Sequence, residues 1–320
     1  MACQQRQGYC ALAESCPPPA APWIIRTVDL RVERLQDGNI RSKMLGEFTL
    51  IHRKWYFLSI LAIALGFQFI SAAYYFREQA ELGNYLDRVA NPSSPPSELT
   101  KDVVLSLKGK PDENDSYFLL PLFRPLRPAP WQVIEKGGDC ADRSRAVIAL
   151  LRLRGIHASK WALYDAHGES VHAVLEADVE SGKMVVDPLF GLWFPRPQGG
   201  YYDIGALRQD SKILAQRIAE LRAQGVQPGT DRLDFYPLNR YVYTHARTIN
   251  WDKNVILRFL YALLHRILGE RADSLARPAF AEEPPLMVIY GSATLEVAVL
   301  FAWLLVERRV GKSATRAVSK

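Results

Sequence analysis

The sequence predicts an α+β domain held between two transmembrane helices, and three observations predict it. Residues 55–76 (Trp55 to Phe76) and 286–306 (Leu286 to Val306) are apolar runs. At about 1.5 Å per helical residue each is long enough to cross a hydrocarbon core of about 30 Å. Between them, a helical apolar period over residues 140–154 gives way to three β-rich runs bounded by turn residues. The charge agrees: residues 1–54 carry 8 Lys/Arg against 5 Asp/Glu, residues 77–285 carry 27 of each, and residues 286–320 carry 5 against 2.

That distribution excludes a nucleic-acid groove, which needs its cations on the folded part and not in the tails. The chain is 48% hydrophobic and 11% aromatic, as expected for a folded protein. Three of its cysteines (Cys3, Cys10, Cys16) fall in a polar, proline-punctuated head without a His nearby, so neither a disulfide scaffold nor a zinc site is expected there. Cys140 is alone in the middle region.

Residues 1–54 read as a cytoplasmic tail. The first run starts too late for a cleaved signal peptide and reads as an uncleaved anchor, with Trp55, Tyr56, Tyr74 and Tyr75 forming an aromatic belt. The second run follows Pro284-Pro285 and stops at Glu307-Arg308-Arg309. Glu296 lies at its midpoint, where a carboxylate needs a proton or a partner; Gln68 or Ser71 of the first run, or a membrane partner, are the expected contacts. Arg41, Lys43, Arg53 and Lys54 precede the first run, while Arg308, Arg309, Lys312, Arg316 and Lys320 follow the second. The basic flanks place both termini in the cytoplasm and residues 77–285 outside, in the periplasm of a bacterial inner-membrane protein.

Within that region residues 77–90 continue as a helix leaving the membrane, and Asn91–Pro96 is a turn. A helix over Ser97–Leu107 is expected with Ser97 as N-cap, followed by a loop-rich stretch to residue 130. Cys140–Arg154 is the next helix, stopped by Gly155. Strands are expected over Ala158–Tyr164, Ser170–Asp178 and Lys183–Leu189. Asp210–Gln224 is an amphipathic helix capped by Asp210 and closed by Gly225. Asp252–Leu268 is another, with Ile256, Phe259, Leu260, Leu263 and Ile267 on one stripe that packs on the domain or lies on the membrane. The stretch Tyr241–Thr248, with His245 and Arg247, has no role assignable from its residues.

The chemistry concentrates in three residues. A thiol becomes a nucleophile when ionised, and a helix N-terminus plus an imidazolium lowers its pKa below the free value of about 8.5. Cys140 begins its helix, His172 supplies the base, and Asp187 orients the ring. If the second and third strands turn near Glu180-Ser181, residues 172 and 187 share a face as diagonal neighbours. Asp142 is expected to cap the cysteine helix. Cys140 and His172 with one carboxylate are too few ligands for zinc, so no metal and no cofactor are expected.

Gly138-Asp139-Cys140-Ala141-Asp142, the helix ending Leu151-Arg152-Leu153-Arg154-Gly155-Ile156, then Val171-His172-Ala173-Val174 and Val185-Val186-Asp187-Pro188 together resemble the transglutaminase-like family, a branch of the papain-like cysteine fold. The resemblance covers residues 131–194, about a fifth of the chain. It implies a transglutaminase-like core over about 98–205, with C-terminal helices over 206–285. It also implies a Cys140 nucleophile, His172 base and Asp187 carboxylate that form a thioester with a peptide or protein amide, completed by water or by an amine. The Cys140 N–H is one oxyanion donor; relatives of this fold use a Trp or Gln upstream of the cysteine, which makes Trp131 and Gln132 candidates for the second. The alternatives are a non-catalytic scaffold of an envelope or polysaccharide-export complex, and an acyltransferase with the same triad.

Overall fold

The computed structural model describes residues 38–119 and 126–318. Cys3, Cys10, Cys16 and most of the expected N-terminal tail lie outside the described residues, as do Pro121 and Pro125. Two compact units divide at Arg53/Lys54. In the first, residues 38–53 are helical; apart from that stretch of the first helix, all that follows concerns the second.

Helix α1 (Gly38–Val89) contains the first apolar run and continues without a break through the segment expected to leave the membrane. Helix α8 (Pro284–Val318) contains the second run. Lys54–Val89 and Pro284–Arg309 are long and apolar enough to cross a membrane. Their ends meet where Phe57 stacks on Trp303 and Lys54 pairs with Glu307 at 3.5 Å. The expected contact of Glu296 with Gln68 or Ser71 is not formed: Glu296 Oε1 and Ser71 Oγ are both buried, and neither has a hydrogen-bond partner. Each helix satisfies its own backbone, so helix pairing does not require these side chains to meet.

Between these helices lie α2 (Pro96–Leu107), α3 (Pro130–Lys136) and α4 (Cys140–Arg152), then strands β1 (Ala158–Tyr164), β2 (Ser170–Val179), β3 (Gly182–Asp187) and β4 (Leu192–Trp193). Helices α5 (Ile204–Gln209) and α6 (Lys212–Ala223), strand β5 (Val242–Arg247) and helix α7 (Val255–Leu268) complete the order. The architecture is α+β, as expected, with an antiparallel sheet ordered β4-β3-β2-β1-β5. Strand β5 lies beyond residue 205, so the fold extends past the expected core and residues 206–285 are not helices alone.

One sheet face, with Leu175, Ala177, Met184 and Val186, packs against Leu82 and Leu86 of α1, Val103 and Leu107 of α2, Val133 of α3 and Val147 and Leu150 of α4. The other face, with Trp161, Leu163, Val174 and Val185, packs against Phe190, Ile204, Leu207, Ile218, Tyr236 and Tyr241. Two-sided burial explains why these strands read as nearly continuous apolar runs.

Several boundaries differ from expectation for local reasons. Pro95, not Ser97, occupies the cap of α2, because Pro96 tolerates the first helical turn, where its missing N–H is not needed. Ser97 instead gives its N–H to Glu180 Oε2 at 3.0 Å and its hydroxyl to Oε1. Strand β3 ends at Asp187 and not Leu189, since Asp187 Oδ1 accepts from Leu189 N–H at 3.1 Å and Phe190 N–H at 3.3 Å and turns the chain. Helix α4 stops at Arg152, and Gly155 takes φ 69° in the turn that follows. Asp210 is not the cap of α6; it accepts from Lys212 N–H just ahead of the helix. Helix α7 begins at Val255 under the side chain of Asn254, which accepts from Leu257 N–H at 2.9 Å.

Candidate functional site

Cys140 is the first residue of α4, half-buried against the core that lines the β2 face. The helix is capped by Asp139, whose Oδ1 accepts from Asp142 N–H at 2.8 Å, so the cap is one turn earlier than the expected Asp142. Burial resists ionisation of Asp139, but the neighbouring Arg127 and this N–H outweigh it and lower its pKa. Asp142 is itself buried, its pKa raised by burial despite the Arg145 guanidinium paired with it. The approach to Cys140 is made by Gly137 at φ 90°, where a Cβ would lie 2.1 Å from the Pro111 carbonyl oxygen. Only glycine fits that conformation and that space.

His172 lies on β2, directly opposite Leu163 of β1 and next to a register slip that leaves Val171 as an extra residue. Strands β2 and β3 pair Leu175 with Val186 and Val179 with Gly182, which places the turn at Glu180-Ser181. His172 and Asp187 are therefore diagonal neighbours on one face, as the sequence suggests. His172 Nε2 and Asp187 Oδ2 are 2.6 Å apart, and both side chains are fully buried. An ionised carboxylate only accepts, so Nε2 carries the proton and Nδ1 is the nitrogen left for chemistry. Nδ1 is buried and makes no hydrogen bond of good geometry, although the Cys140 sulfur is near enough to act on the ring by charge and hydrogen bonding.

The ring is held by three aromatics. Tyr241 stacks on it at 4.1 Å and 6°, while Phe190 at 5.8 Å and Tyr236 at 6.5 Å present edges. Burial, the largest influence on His172, lowers its pKa; Asp187 and then the Cys140 sulfur, through charge and hydrogen bonding, outweigh it and push the value up to about 10. At neutral pH the imidazole is thus protonated whenever Cys140 is a thiolate. Burial first, then Cys140 and Asp187, push Tyr241 up to about 12, so its hydroxyl stays neutral.

The chain matches no family model, no curated protein and no solved structure.

Around this pair the largest unforeseen residue is Arg143, which is 1% exposed. Its Nε donates to the Gly138 carbonyl at 2.9 Å and Nη1 to the Leu107 carbonyl at 2.8 Å. Nη2 donates to the carbonyls of Lys110 and Pro111 and to Asp112 Oδ1 at 3.0 Å. One guanidinium fork therefore ties the end of α2 to the glycine turn that precedes Cys140. Inside Ala141-Asp142-Arg143-Ser144-Arg145 this residue looks like an ordinary exposed cation, and only its i+7 relation to Leu150, on the buried side of α4, hints otherwise.

Of the two oxyanion candidates, Gln132 is committed to its own helix, its side-chain oxygen accepting from Ala129 N–H at 2.8 Å. The Trp131 ring packs edge-on to Tyr85 of α1, and the Trp131 backbone N–H donates to Glu78 Oε1 at 2.8 Å. These contacts stay within the α1–α3 packing and do not involve Cys140. Among the described residues no three His, Cys, Asp or Glu side chains converge as a metal-binding group. Tyr241, Tyr236 and Phe190 were not foreseen as site residues; the aromatic run at Tyr241–Thr248 was a visible signal for Tyr241 alone. What the arrangement offers is a thiol at a helix N-terminus and a buried, carboxylate-oriented imidazole with its second nitrogen unoccupied.

Proposed function

We propose that this chain is a membrane-anchored, transglutaminase-like cysteine peptidase or amidase that acts through a thioester on Cys140. In the first step the Cys140 thiolate attacks an amide carbonyl carbon, the C–N bond breaks, and His172 gives its Nδ1 proton to the departing amine. In the second step a water attacks the thioester carbonyl and loses a proton to Nδ1, and the Cys140 sulfur leaves as thiolate; an amine in place of water would make the product an amide. Asp187 keeps the ring in the tautomer both steps need. We place the domain on the outer side of a bacterial inner membrane with both termini cytoplasmic, a reading supported by the two apolar helices and their basic flanks.

The observation that carries this reading is the buried 2.6 Å His172–Asp187 contact with Nδ1 free of a hydrogen bond of good geometry. The test is alkylation of the membrane-embedded full chain with iodoacetamide as pH is varied, read by mass spectrometry at Cys140, together with trapping of an acyl adduct from membrane extracts. Reaction at mildly acidic pH that disappears in His172→Ala, plus a trapped acyl group, is the expected result. A Cys140 that reacts like a free thiol in both proteins, with no adduct, favours the scaffold reading. A reporter fused after residue 200 that is active only in the cytoplasm would contradict the outward placement.

A further inference from the structure

Helix α7 carries an apolar face that nothing in the fold covers. Ile256 is 78% exposed, Phe259 72% and Ile267 70%, and no residue of the helix is buried. At 3.6 residues per turn, Ile256, Phe259, Leu260, Leu263 and Ile267 share one arc, and Leu257, Tyr261 and Leu264 the next. The second arc is the docked one: Tyr261 Oη donates to Asp273 at 2.9 Å, and its ring lies 4.7 Å from the Arg247 guanidinium and 5.5 Å from Trp251. Arg258, His265 and Arg266 take the remaining arc, and the helix contains no Asp or Glu. A contiguous apolar patch of this kind is uncommon on a water-facing surface.

We propose that α7 lies in the plane of the same bilayer that α1 and α8 cross, its uncovered arc among acyl chains and Arg258 and Arg266 on anionic headgroups. This rests on the two-span reading above. The membrane is the occupant because the face is tethered to it. Only residues 269–283 separate α7 from α8, and Phe280 in that connection packs on Tyr290 of α8 at 5.5 Å. The cationic rim without acids matches phosphate-bearing lipids, and an apolar arc beside a basic one is the signature of an interfacial helix. A protein partner matched to that rim would have to bring acidic residues while competing with a bilayer already at hand.

The experiment is spin-label accessibility on the full chain in phosphatidylcholine vesicles containing phosphatidylglycerol, in a background of Cys3→Ser, Cys10→Ser, Cys16→Ser and Cys140→Ser. Labels at Ile256→Cys, Phe259→Cys and Leu263→Cys should collide several-fold more with oxygen than with a water-soluble nickel chelate, and labels at Arg258→Cys and His265→Cys should show the reverse. Equal access of the chelate to all five positions overturns the proposal, as does dipolar broadening between labels on two copies. A label at Ile63→Cys reports the span: if it is lipid-facing while α7 is wet, only the α7 proposal fails, and if it too is wet, the two-span reading fails. Omitting phosphatidylglycerol should make α7 shallower; an unchanged depth refutes the anionic-headgroup part.

Discussion

Replacing Asp187 with Asn keeps the shape of the side chain and removes the charge that holds His172 protonated. Burial lowers the pKa of His172, and Asp187 followed by Cys140 raises it to about 10. Without the carboxylate, the ring, closed in by Phe190, Tyr236 and Tyr241, should titrate below its ordinary value of about 6.5. The two proteins then depend on pH with opposite signs. In the wild type the folded pKa is raised, so the His172 contribution to stability is complete below about pH 6.5 and is lost as pH climbs toward 10, at roughly 1.4 kcal/mol per pH unit across that window. In Asp187→Asn the folded pKa is depressed, so stability is instead lost as pH falls below about 6.5. The assay is chemical unfolding of the detergent-solubilised chain from pH 5 to pH 10, followed by tryptophan fluorescence, with the difference between the two proteins as the readout. Parallel curves would refute the claim that Asp187 sets the charge of His172, because only a change in that ring's titration gives the difference a pH slope.

Arg143→Met should destabilise the chain by about 3–5 kcal/mol, since it leaves the buried Asp112 carboxylate without its ion pair and the Gly138 and Lys110 carbonyls without a donor, while the Leu107 and Pro111 carbonyls keep the Lys110 and Gly138 N–H, and Arg143→Lys should recover part of that; urea titration measures both. Gly137→Ala should cost several kcal/mol or prevent folding, whereas Gly109→Ala, with a similar φ of 77° but open space around it, should cost roughly 1 kcal/mol. Circular dichroism melts of the pair separate the steric clash from the conformational strain. Tyr241→Phe should leave Cys140 alkylation unchanged, because the stack survives, while Tyr241→Ala should slow it about tenfold by freeing the His172 ring; equal rates for the two variants would contradict a positioning role for the ring.

The candidate site was legible because Cys140 is the one cysteine of residues 77–285 and because the strand pairing that joins His172 to Asp187 follows from one short turn. Once Glu180-Ser181 is the turn, the period of two fixes the faces of His172 and Asp187. The elements that escaped are those decided by distant contacts. Val242–Arg247 becomes an edge strand only because β1 offers it a partner, and nothing in its own residues distinguishes that from a loop. Arg143 reads as surface charge in sequence, and its burial depends on the carbonyls of residues 107–111 arriving from another helix. The α3 helix hid in a proline-rich stretch, where Pro130 marks a helix start as readily as a turn. The cap of α2 was misplaced for a related reason, Ser97 being drawn away by Glu180.

The acidic residues at the roots of the two long helices determine where the α+β region between them can be cut. Glu78 on α1 receives the Trp131 N–H, and Leu82 and Leu86 one and two turns later are part of the core. At the other end Glu283 pairs with Arg152 at the last turn of the cysteine helix, and Glu282 pairs with Lys160 at 2.7 Å and Arg277 at 3.0 Å. A fragment trimmed to the borders of the apolar runs would therefore retain these anchors only if it starts upstream of Glu78 and ends after Glu283. One that starts at Pro96 would take Leu82 and Leu86 out of the core and leave the Trp131 amide without its acceptor.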